Sequence, residues 1–350
     1  MMRSEILRRM QPSADSRRRV HDLLHGYRTT CLVVAAIELG LVEALRAAPL
    51  GEADLAERLG AHEASLRRFL RALSSLGLVE NHAQGVALTA AGRLLLEGDS
   101  AMRERGILVR DEYLPAWLNL SHTVRTGETA FGHVFGMSAW EHRRRHPALN
   151  ECMNRTMADD QRSAQGSISE AYDFSRHRTI VDVGGGHGAL LADILARFPQ
   201  PGGVLFDQPH VVSGAPRLLA DAGVLQRCEI VGGSFFERVP AGGDAYLLQR
   251  VLHDWSDEQC EAILRKCRAA MGGASELLVI EKVVPEGLAP ADLVMLDMHM
   301  MAMLGGRERT RAEYEALLAS CGFEFVRSLH TRAGTAILVA TPSRSGAPVR

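Results

Sequence analysis

The sequence predicts an α/β protein in which a doubly wound sheet of seven strands follows a mostly helical N-terminal part. After Asp182, short runs rich in Val, Ile and Leu alternate with helix-like segments, which is typical of a parallel sheet with crossover helices. The last two runs are separated by only four residues, 331–334, so they must form an antiparallel hairpin. The predicted strands are 178–183, 203–207, 228–232, 244–250, 276–283, 324–330 and 335–341.

Composition indicates an ordinary globular protein. The 350 residues are 46% hydrophobic and 23% charged with a formal net charge of −2, which gives no electrostatic reason to expect a nucleic-acid partner. The six cysteines form no C-x-x-C pair, so we expect reduced thiols in a cytoplasmic protein. Residues 1–19 are polar and rich in Arg, and no apolar run approaches about 18 residues, so we expect neither export nor a membrane span.

The N-terminal part has the pattern of a winged helix. Residues 53–60 and 63–79 indicate a helix, a turn containing Gly, a second helix and a strand, and we expect the wing and a further helix within 88–96. One interpretation is DNA recognition through Arg67, Arg68 and Arg71 on the second helix. The other is a scaffold used for dimerisation, which is favoured because nearby acidic residues offset the arginines.

Residues 101–170 are predicted to be helical and carry a high density of aromatic and Met side chains. Such side chains usually form core, but they also line pockets for flat ligands because Met adapts its shape to ring faces. The residues of interest are Trp117, Phe131, Met153 and Met157.

A glycine-rich loop follows the first predicted strand of the sheet. Gly184, Gly186 and Gly188 allow a sharp turn and close approach of a ligand, and the next helix points its free N–H groups there. The spacing from Gly184 to Ala189 also satisfies a dinucleotide fingerprint, so a nicotinamide cofactor is an alternative. The C-terminal hairpin is more typical of S-adenosylmethionine methyltransferases.

Later strand ends add candidate binding groups. Asp207 ends the second strand, where a carboxylate accepts hydrogen bonds from ribose hydroxyls. Gly233 and Ser234 permit close approach, and Phe235 is either a packing surface for adenine or ordinary core. The run ending in His253 places this histidine at the carboxyl edge of the sheet.

Four segments together resemble the caffeic acid/acetylserotonin/hydroxyneurosporene-type small-molecule O-methyltransferases, and the resemblance covers nearly the whole chain. They are 181–188, 233–240, 251–258 and 305–310. The resemblance implies a Rossmann-like methyltransferase fold, S-adenosylmethionine as cofactor, a hydroxyl of a small aromatic secondary metabolite as acceptor, and a homodimer formed through the N-terminal domain. It divides the chain into a winged-helix-like dimerisation domain (1–100), a helical linker and substrate-pocket region (101–170) and a cofactor-binding catalytic domain (171–350).

The resemblance also implies roles for individual residues. His253 is the expected general base, flanked and oriented by Glu281 and Glu308. The expected cofactor site comprises Asp182, Gly184, Gly186, Asp207, Gly233, Ser234, Phe235 and Gln249. The expected substrate pocket comprises Trp117, Phe131, Met153, Met157, Asp254 and His299.

Two positions depart from the family pattern. The family usually has Asp at Ser234 and often Lys at Gln249, so each replacement removes a charge near the cofactor. We therefore expect cofactor binding to persist with lower affinity. His299 either lines the pocket or forms a metal site with His253 and Asp254; pocket lining is favoured.

The expected chemistry is an in-line displacement that needs a positioned oxygen nucleophile. A phenol of pKa about 10 is a weak nucleophile at neutral pH, and a histidine of pKa about 6.5 within hydrogen-bond reach accepts its proton during attack. This scheme requires no metal. Three alternatives stay open: the same fold with C-methylation, decarboxylation or hydroxylation chemistry, a winged-helix regulator that senses a small molecule, and a nicotinamide dehydrogenase.

Overall fold

The computed structural model describes residues 13–98, 100–163 and 166–343. The chain folds into two compact units, Met1–Asp111 with Glu151–Thr156, and Glu112–Asn150 with Met157–Arg350. The three functional regions expected from the sequence stay a prediction. Among the described residues, no helix combines the length and the apolar character needed to cross a bilayer.

The first unit is mostly helical. Its elements are α1 (Ala14–His25), α2 (Tyr27–Glu38), α3 (Leu41–Ala44), α4 (Glu52–Leu59), α5 (Glu63–Ser75), β1 (Val79–His82), β2 (Gly85–Leu88), α6 (Ala90–Arg93) and α7 (Met102–Leu108). Helix α5 buries Leu66, Leu70 and Leu73, which helical periodicity places on one face. Arg67 points away from that face and pairs with Glu52 and Glu63 at 2.7 and 2.8 Å. These pairs offset the charge of Arg67, one of the three arginines on which the less favoured DNA-binding interpretation depends.

The wing lies earlier than the sequence prediction placed it. Strands β1 and β2 form the antiparallel hairpin, whereas residues 90–93 form helix α6, so the expected wing within 88–96 is wrong. Gly85 permits the turn, since its φ is +129° and a Cβ there would lie 2.1 Å from the Leu50 carbonyl oxygen. Thr89 caps α6 by accepting a hydrogen bond from the Gly92 N–H at 3.1 Å.

The second unit begins with a cluster of short helices that follow a π-helical turn at Val109–Tyr113. The short helices are α8 (Leu114–Trp117), α9 (Leu120–Thr126), α10 (Ala130–Phe135), α11 (Ala139–Arg145) and α13 (Ser167–Ala171). Between the last two lies the longer α12 (Pro147–Ser163), whose residues Glu151–Thr156 belong to the first unit. The sheet strands are β3 (Thr179–Val183), β4 (Gly202–Asp207), β5 (Cys228–Gly232), β6 (Ala245–Gln249), β7 (Glu276–Glu281), β10 (Phe323–His330) and β11 (Ala336–Pro342). The remaining elements are α14 (Ala189–Arg197), α15 (Pro209–Val212), α16 (Ala215–Asp221), α17 (Asp257–Ala270), β8 (Val283–Val284), α18 (Ala291–Met303), β9 (Arg309–Thr310) and α19 (Arg311–Ser320).

The predicted seven-stranded sheet is confirmed, with strand order β10-β11-β7-β6-β3-β4-β5. Strands β3 to β7 pair in parallel, and β11 joins β7 and β10 in antiparallel fashion. The strand order reverses between β3 and β6, and ligands of open α/β sheets bind where such a reversal opens a crevice at the carboxyl ends.

Helices cover both faces of this sheet. Along β3, Val181 and Val183 pack into the cluster that holds helices α17 and α19, whereas Ile180 packs into the cluster that holds α14. Because the central strands are buried on both faces, their carboxyl ends are fixed points from which the functional side chains extend.

Candidate active site

The glycine loop after β3 has the left-handed backbone conformation that its glycines permit. Gly184, Gly186 and Gly188 have φ values of +74°, +60° and +83°. The N–H of Gly184 donates to the Phe206 carbonyl at 2.8 Å, which ties the loop to the end of β4. A Cβ at Gly184 would lie 2.8 Å from the side chain of Val251, so the loop also passes close to the segment that follows β6.

Two expected cofactor-site carboxylates lie at this loop. Asp182 is buried, and neither of its carboxylate oxygens has a hydrogen-bond partner among the described residues. Burial, with the nearby charge of Asp207, raises the pKa of Asp182 to about 7. Asp207 accepts the N–H of Gly186 at 2.9 Å and of Gln208 at 2.6 Å, which fixes its carboxylate at the end of β4.

The turn after β5 brings together Gly233, Ser234 and Phe235. Gly233 donates its N–H to the Asp207 carbonyl at 2.9 Å, and a Cβ there would lie 2.7 Å from the Phe206 ring. The Ser234 hydroxyl oxygen accepts the Phe236 N–H at 3.3 Å, so serine caps this turn. The turn is therefore adjacent to the end of β4, as the sequence order of the motifs suggests.

An aromatic wall, defined here as Trp140, Phe235, Phe236 and Trp255, stands beside this turn. Trp255 stacks on Trp140 with ring centroids 5.6 Å apart, and Phe236 meets Trp255 edge-on at 4.9 Å. Sequence reasoning noted Phe235 but gave no role to Trp255 or Trp140. The position of Trp255 directly after the predicted His253 and Asp254 was the available signal.

The backbone turns sharply at the end of β6, where Gln249 is the last strand residue. Arg250 follows with a φ of +52°, which makes it the one non-glycine residue with positive φ in the described ranges. Such a conformation costs roughly 1–3 kcal/mol. The Arg250 N–H donates to the Ile280 carbonyl at 3.0 Å, and its guanidinium lies 3.5 Å from Asp160. These contacts hold a strained turn that directs the next residues towards the crevice.

His253 lies on the short 3₁₀ turn Leu252–Asp254 and is buried together with Glu281 and Glu308. Its Nδ1 is 2.8 Å from Glu308 Oε1, and its Nε2 is 3.3 Å from Asp254 Oδ1. The N–H groups of Leu252 and His253 converge on Glu281 Oε1 at 3.0 and 3.3 Å. The structure thus brings together the three residues that the sequence predicted as catalytic.

The carboxylates around His253 determine its charge. Burial alone lowers the pKa of a histidine, but Glu281, Asp254 and Glu308 outweigh it and raise the pKa of His253 to about 9. At pH 7 only about 1% of such a side chain is neutral. Burial raises the pKa of Glu281 to about 7.

We expect a rising pH profile from this arrangement. If His253 is the general base that the resemblance implies, only its neutral form accepts a proton, so kcat/KM for a phenolic acceptor should rise with pH and level off above about pH 9 in the free enzyme. In Glu308→Gln, loss of one carboxylate should move the rising limb to lower pH. Initial rates measured from pH 6 to about 10 check this profile. A rise in kcat/KM with its midpoint near pH 6.5 would contradict it, and so would a midpoint that moves to higher pH in Glu308→Gln.

Arg309 holds the turn that carries His253. The side chain is 1% exposed and donates to the carbonyls of Leu252 at 2.9 Å and Trp255 at 3.0 Å. It also donates to Asp257 Oδ1 at 2.9 and 2.7 Å. Arg309 belongs to the segment 305–310 that the sequence singled out, yet only Glu308 received a role there. Its guanidinium links the two ends of the 3₁₀ turn.

We expect Arg309→Met to lower kcat about 10- to 100-fold, because displacement of His253 by a fraction of an ångström disturbs the proton transfer. KM should change less than kcat. The midpoint of the pH dependence of kcat/KM should shift, because the distance between His253 and Glu308 changes. Arg309→Lys should recover part of the loss. The matched control is Arg311→Met, which removes an exposed arginine that pairs with Glu315 at 2.6 Å. Equal losses in both variants, or an unchanged pH profile, contradict the positioning role.

His299 lies on α18 beside two aromatic residues. The Trp117 indole N–H donates to His299 Nδ1 at 3.2 Å, and the Tyr113 ring meets His299 edge-on at 4.6 Å. Burial, with the charge of Arg143, lowers the pKa of His299 to about 4, so this histidine is neutral with its proton on Nε2. No group of three potential metal ligands with suitable geometry occurs in the described part of the chain.

The three other aromatic and Met residues expected in the pocket lie in different environments. Phe131 is fully buried against Phe135 and near the ring of His142, which is a core environment. Met157 on α12 is 37% exposed. Met153 belongs to the segment Glu151–Thr156 of the first unit. Their parts in an acceptor pocket stay predictions.

Two protein-family descriptions match this chain. The family described as the O-methyltransferase domain matches residues 117–324, and the O-methyltransferase dimerisation domain matches residues 21–98. Phenazine O-methyltransferase PhzM of Lysobacter antibioticus is 40% identical over 322 residues, which are 91% of this chain and 94% of the relative.

Two solved structures have the same architecture. Mitomycin 7-O-methyltransferase MmcR superposes with a TM-score of 0.88 at 36% identity, over 94% of this chain and 98% of that one. NcsB1 from neocarzinostatin biosynthesis, solved with S-adenosylmethionine and 2-hydroxy-5-methyl naphthoic acid, has a TM-score of 0.79 at 33% identity, over 90% and 96%. The O-methyltransferase domain alone covers more than half of the sequence, so the chain belongs to the family of S-adenosylmethionine-dependent O-methyltransferases.

Proposed function

We propose that this enzyme methylates a phenolic hydroxyl of a small aromatic secondary metabolite, with His253 as the general base. The observation that carries the proposal is the 2.8 Å contact between His253 Nδ1 and Glu308. Glu308 engages Nδ1 of the ring, so Nε2, which lies beside Asp254, is the atom that receives the proton of the acceptor hydroxyl. Glu281 supports the same turn through two backbone N–H groups.

The residues at the strand ends fit the cofactor. Asp207 presents carboxylate oxygens suited to ribose hydroxyls, and Gly184 and Gly186 allow the loop to lie against a ligand. Asp182 lies under this loop with unpartnered oxygens, and a nearby positive charge would favour its ionised form. S-Adenosylmethionine supplies a methyl carbon made electrophilic by its positively charged sulfur. Ser234 and Gln249 contribute no charge, so reduced cofactor affinity relative to the family pattern stays a prediction.

The proton follows a defined route in this proposal. As the acceptor oxygen forms its bond to the methyl carbon, the carbon–sulfur bond breaks with S-adenosylhomocysteine as the leaving group, and the hydroxyl proton moves to His253 Nε2. Glu308 stabilises the imidazolium through its contact with Nδ1. Because His253 and Glu308 are both buried, water does not compete for this contact. The proton then leaves to solvent before the next turnover. His253 therefore has to be neutral when the acceptor binds as a phenol.

The acceptor pocket that we propose lies on the Nε2 side of His253 and includes Asp254, Trp117 and His299. Trp117 and Tyr113 give it flat apolar surfaces, and the His299 Nε2–H gives it a hydrogen-bond donor. Two of the similar proteins are named for phenazine and mitomycin, and NcsB1 was solved with a naphthoic acid. These names support a fused or substituted aromatic acceptor.

The dimerisation domain supports a homodimer formed through the N-terminal part of the chain. Helix α1 exposes Val20, Leu23 and Leu24 with no buried residue of its own, as expected for a helix that packs against a second copy. Sedimentation at low micromolar concentration should give twice the chain mass. A cytoplasmic location and the absence of nucleic-acid and membrane partners stay predictions.

The proposed reaction is tested with S-adenosylmethionine carrying a ¹³C methyl group and a panel of phenols and naphthols. We expect a new product whose labelled methyl carbon is bonded to oxygen. A product methylated on carbon would support the alternative chemistry of the fold. No labelled product with any member of the panel, despite measurable cofactor binding, would contradict the proposal.

A further inference from the structure

A buried ion pair lies on the acceptor side of His253 and has no part in the mechanism described so far. Glu112 is fully buried, and Arg143 on α11 is 5% exposed. The Arg143 Nη2 and Nε atoms donate to Glu112 Oε2 at 2.7 and 3.1 Å. His142 Nδ1 approaches the other carboxylate oxygen at 3.3 Å. Glu112 thus has two partners from the same helix.

Arg143 keeps donors that this pair does not use. A guanidinium carries five N–H donors, and Nη1 makes no hydrogen bond to any residue in the described ranges. A cation this deeply buried normally has all its donors engaged by protein groups. Nη1 is not fully enclosed, so the geometry leaves a fixed, oriented donor that an incoming group can reach.

The open donor is near the catalytic centre. On the helix that carries Arg143, Trp140 stacks on Trp255, the neighbour of Asp254, with ring centroids 5.6 Å apart. Tyr113, the neighbour of Glu112, meets the His299 ring at 4.6 Å. The charge of Arg143 accordingly acts on both Asp254, whose pKa burial raises, and His299, whose pKa burial lowers. Asp254 is the residue 3.3 Å from His253 Nε2, the nitrogen that faces the acceptor in the proposed function. Arg143 is therefore located to contact an acceptor held between His253 and His299.

Two other cations already offset the charge of Asp254. His253 lies beside it, and Arg250 acts on it from the end of β6. Arg143 is thus not required to neutralise Asp254, and its Nη1 stays open to an incoming anion while Nε and Nη2 hold Glu112. A guanidinium held rigid by a buried carboxylate is suited to bind a planar carboxylate, because the fork of N–H groups is already oriented.

We propose that Arg143 forms an acceptor subsite for a carboxylate on the aromatic ring, so that the enzyme prefers aromatic hydroxy acids over simple phenols. The subsite rests on the proposed function, since it places the acceptor hydroxyl at His253 and the carboxylate at Arg143. Glu112 and His142 act as positioning residues that fix the guanidinium. Binding of the carboxylate at Arg143 is non-covalent, so the preference for hydroxy acids adds no chemical step to the reaction.

Matched acceptor pairs test the preference. Binding to the enzyme saturated with S-adenosylhomocysteine is measured by calorimetry for 3-hydroxy-2-naphthoate and 1-hydroxy-2-naphthoate and for their counterparts 2-naphthol and 1-naphthol. We expect each acid to bind about 10- to 100-fold more tightly than its counterpart. The methyl ester of 3-hydroxy-2-naphthoate keeps the carbonyl oxygen without the charge, and we expect it to bind like 2-naphthol.

Variants assign the preference to Arg143. In Arg143→Met the acids should lose their advantage while the Kd of the naphthols stays unchanged. Because that variant leaves Glu112 buried without its main partner, the double variant Glu112→Gln/Arg143→Met is measured as well, with S-adenosylhomocysteine affinity as the readout of an intact fold. Arg144→Met is the matched control, since Arg144 is exposed and pairs with Glu141.

The outcomes separate this subsite from the proposed function. Naphthols that bind as tightly as the acids, an ester that binds like the acid, or an acid preference that survives in both Arg143 variants would overturn the subsite. Methylation of the naphthols in the same preparation would show that the proposed function stands in that case. Failure of the proposed function would instead appear as no methyl transfer to acid or naphthol.

Discussion

Replacement of His253 by alanine should lower kcat for a phenolic acceptor about 10²- to 10⁴-fold. The variant loses the atom that accepts the hydroxyl proton, whereas the glycine loop and Asp207 stay in place. S-Adenosylhomocysteine affinity should therefore change little. Steady-state rates with S-adenosylmethionine and 2-naphthol, together with calorimetry, measure the two quantities.

Two further variants make the His253 result specific. His253→Asn keeps an N–H donor for Glu308, which limits the damage from an unpartnered buried carboxylate, but it has no base at the Nε2 position. It should be as slow as His253→Ala. His330→Ala removes an exposed histidine at the end of β10 and should behave like the wild type. Turnover within about threefold of wild type in His253→Asn would remove His253 as the base.

The second large effect is expected for Gly306→Ala. A Cβ at this position would lie 2.1 Å from the His253 carbonyl oxygen and 2.5 Å from the Asp254 carbonyl carbon. These are backbone atoms that cannot rotate away, so the whole turn must move. We expect kcat/KM to fall at least about 100-fold, because a shift of about 1 Å at a catalytic group has that effect.

Thermal unfolding separates the local effect from a general one. The overlap at Gly306 should also lower the free energy of unfolding by about 1–3 kcal/mol, as overpacking in a tight site does. Gly273→Ala is the matched control, since a Cβ there meets no atom within 4 Å and its φ lies outside the left-handed region. Full activity in Gly306→Ala would show that the segment 305–310 does not constrain His253 as the structure indicates.

The sheet could be predicted from the sequence because its strands are buried on both faces. Segments such as 245–248 and 277–280 are continuous apolar runs, and each predicted strand lies within two residues of the observed one. The short predicted connection at 331–334, which is 331–335 in the structure, determined the antiparallel hairpin. The wing was misplaced because short, mostly exposed strands such as β1 lack this apolar pattern. The turn of the wing also depends on the close approach of Gly85 to Leu50, which lies far from it in sequence.

The candidate site was predictable where its residues follow strand ends in sequence. Asp207 is the last residue of a recognisable strand, and Ser234 and His253 each follow shortly after one. Contacts between distant segments were not predictable in this way. The pairing of Glu112 with Arg143, and the links from Arg309 to Leu252 and Trp255, depend on how separate elements pack, which no local period encodes.

Proton transfer to His253 is tested most directly by the dependence of the His253→Ala defect on acceptor acidity. Turnover of wild type and variant is compared at one pH across substituted phenols, from pKa about 10 to values below the assay pH. A phenol that is already ionised needs no base, so the defect should shrink from about 10²- to 10⁴-fold to less than about tenfold. A defect that stays constant across the series would contradict His253 as the proton acceptor.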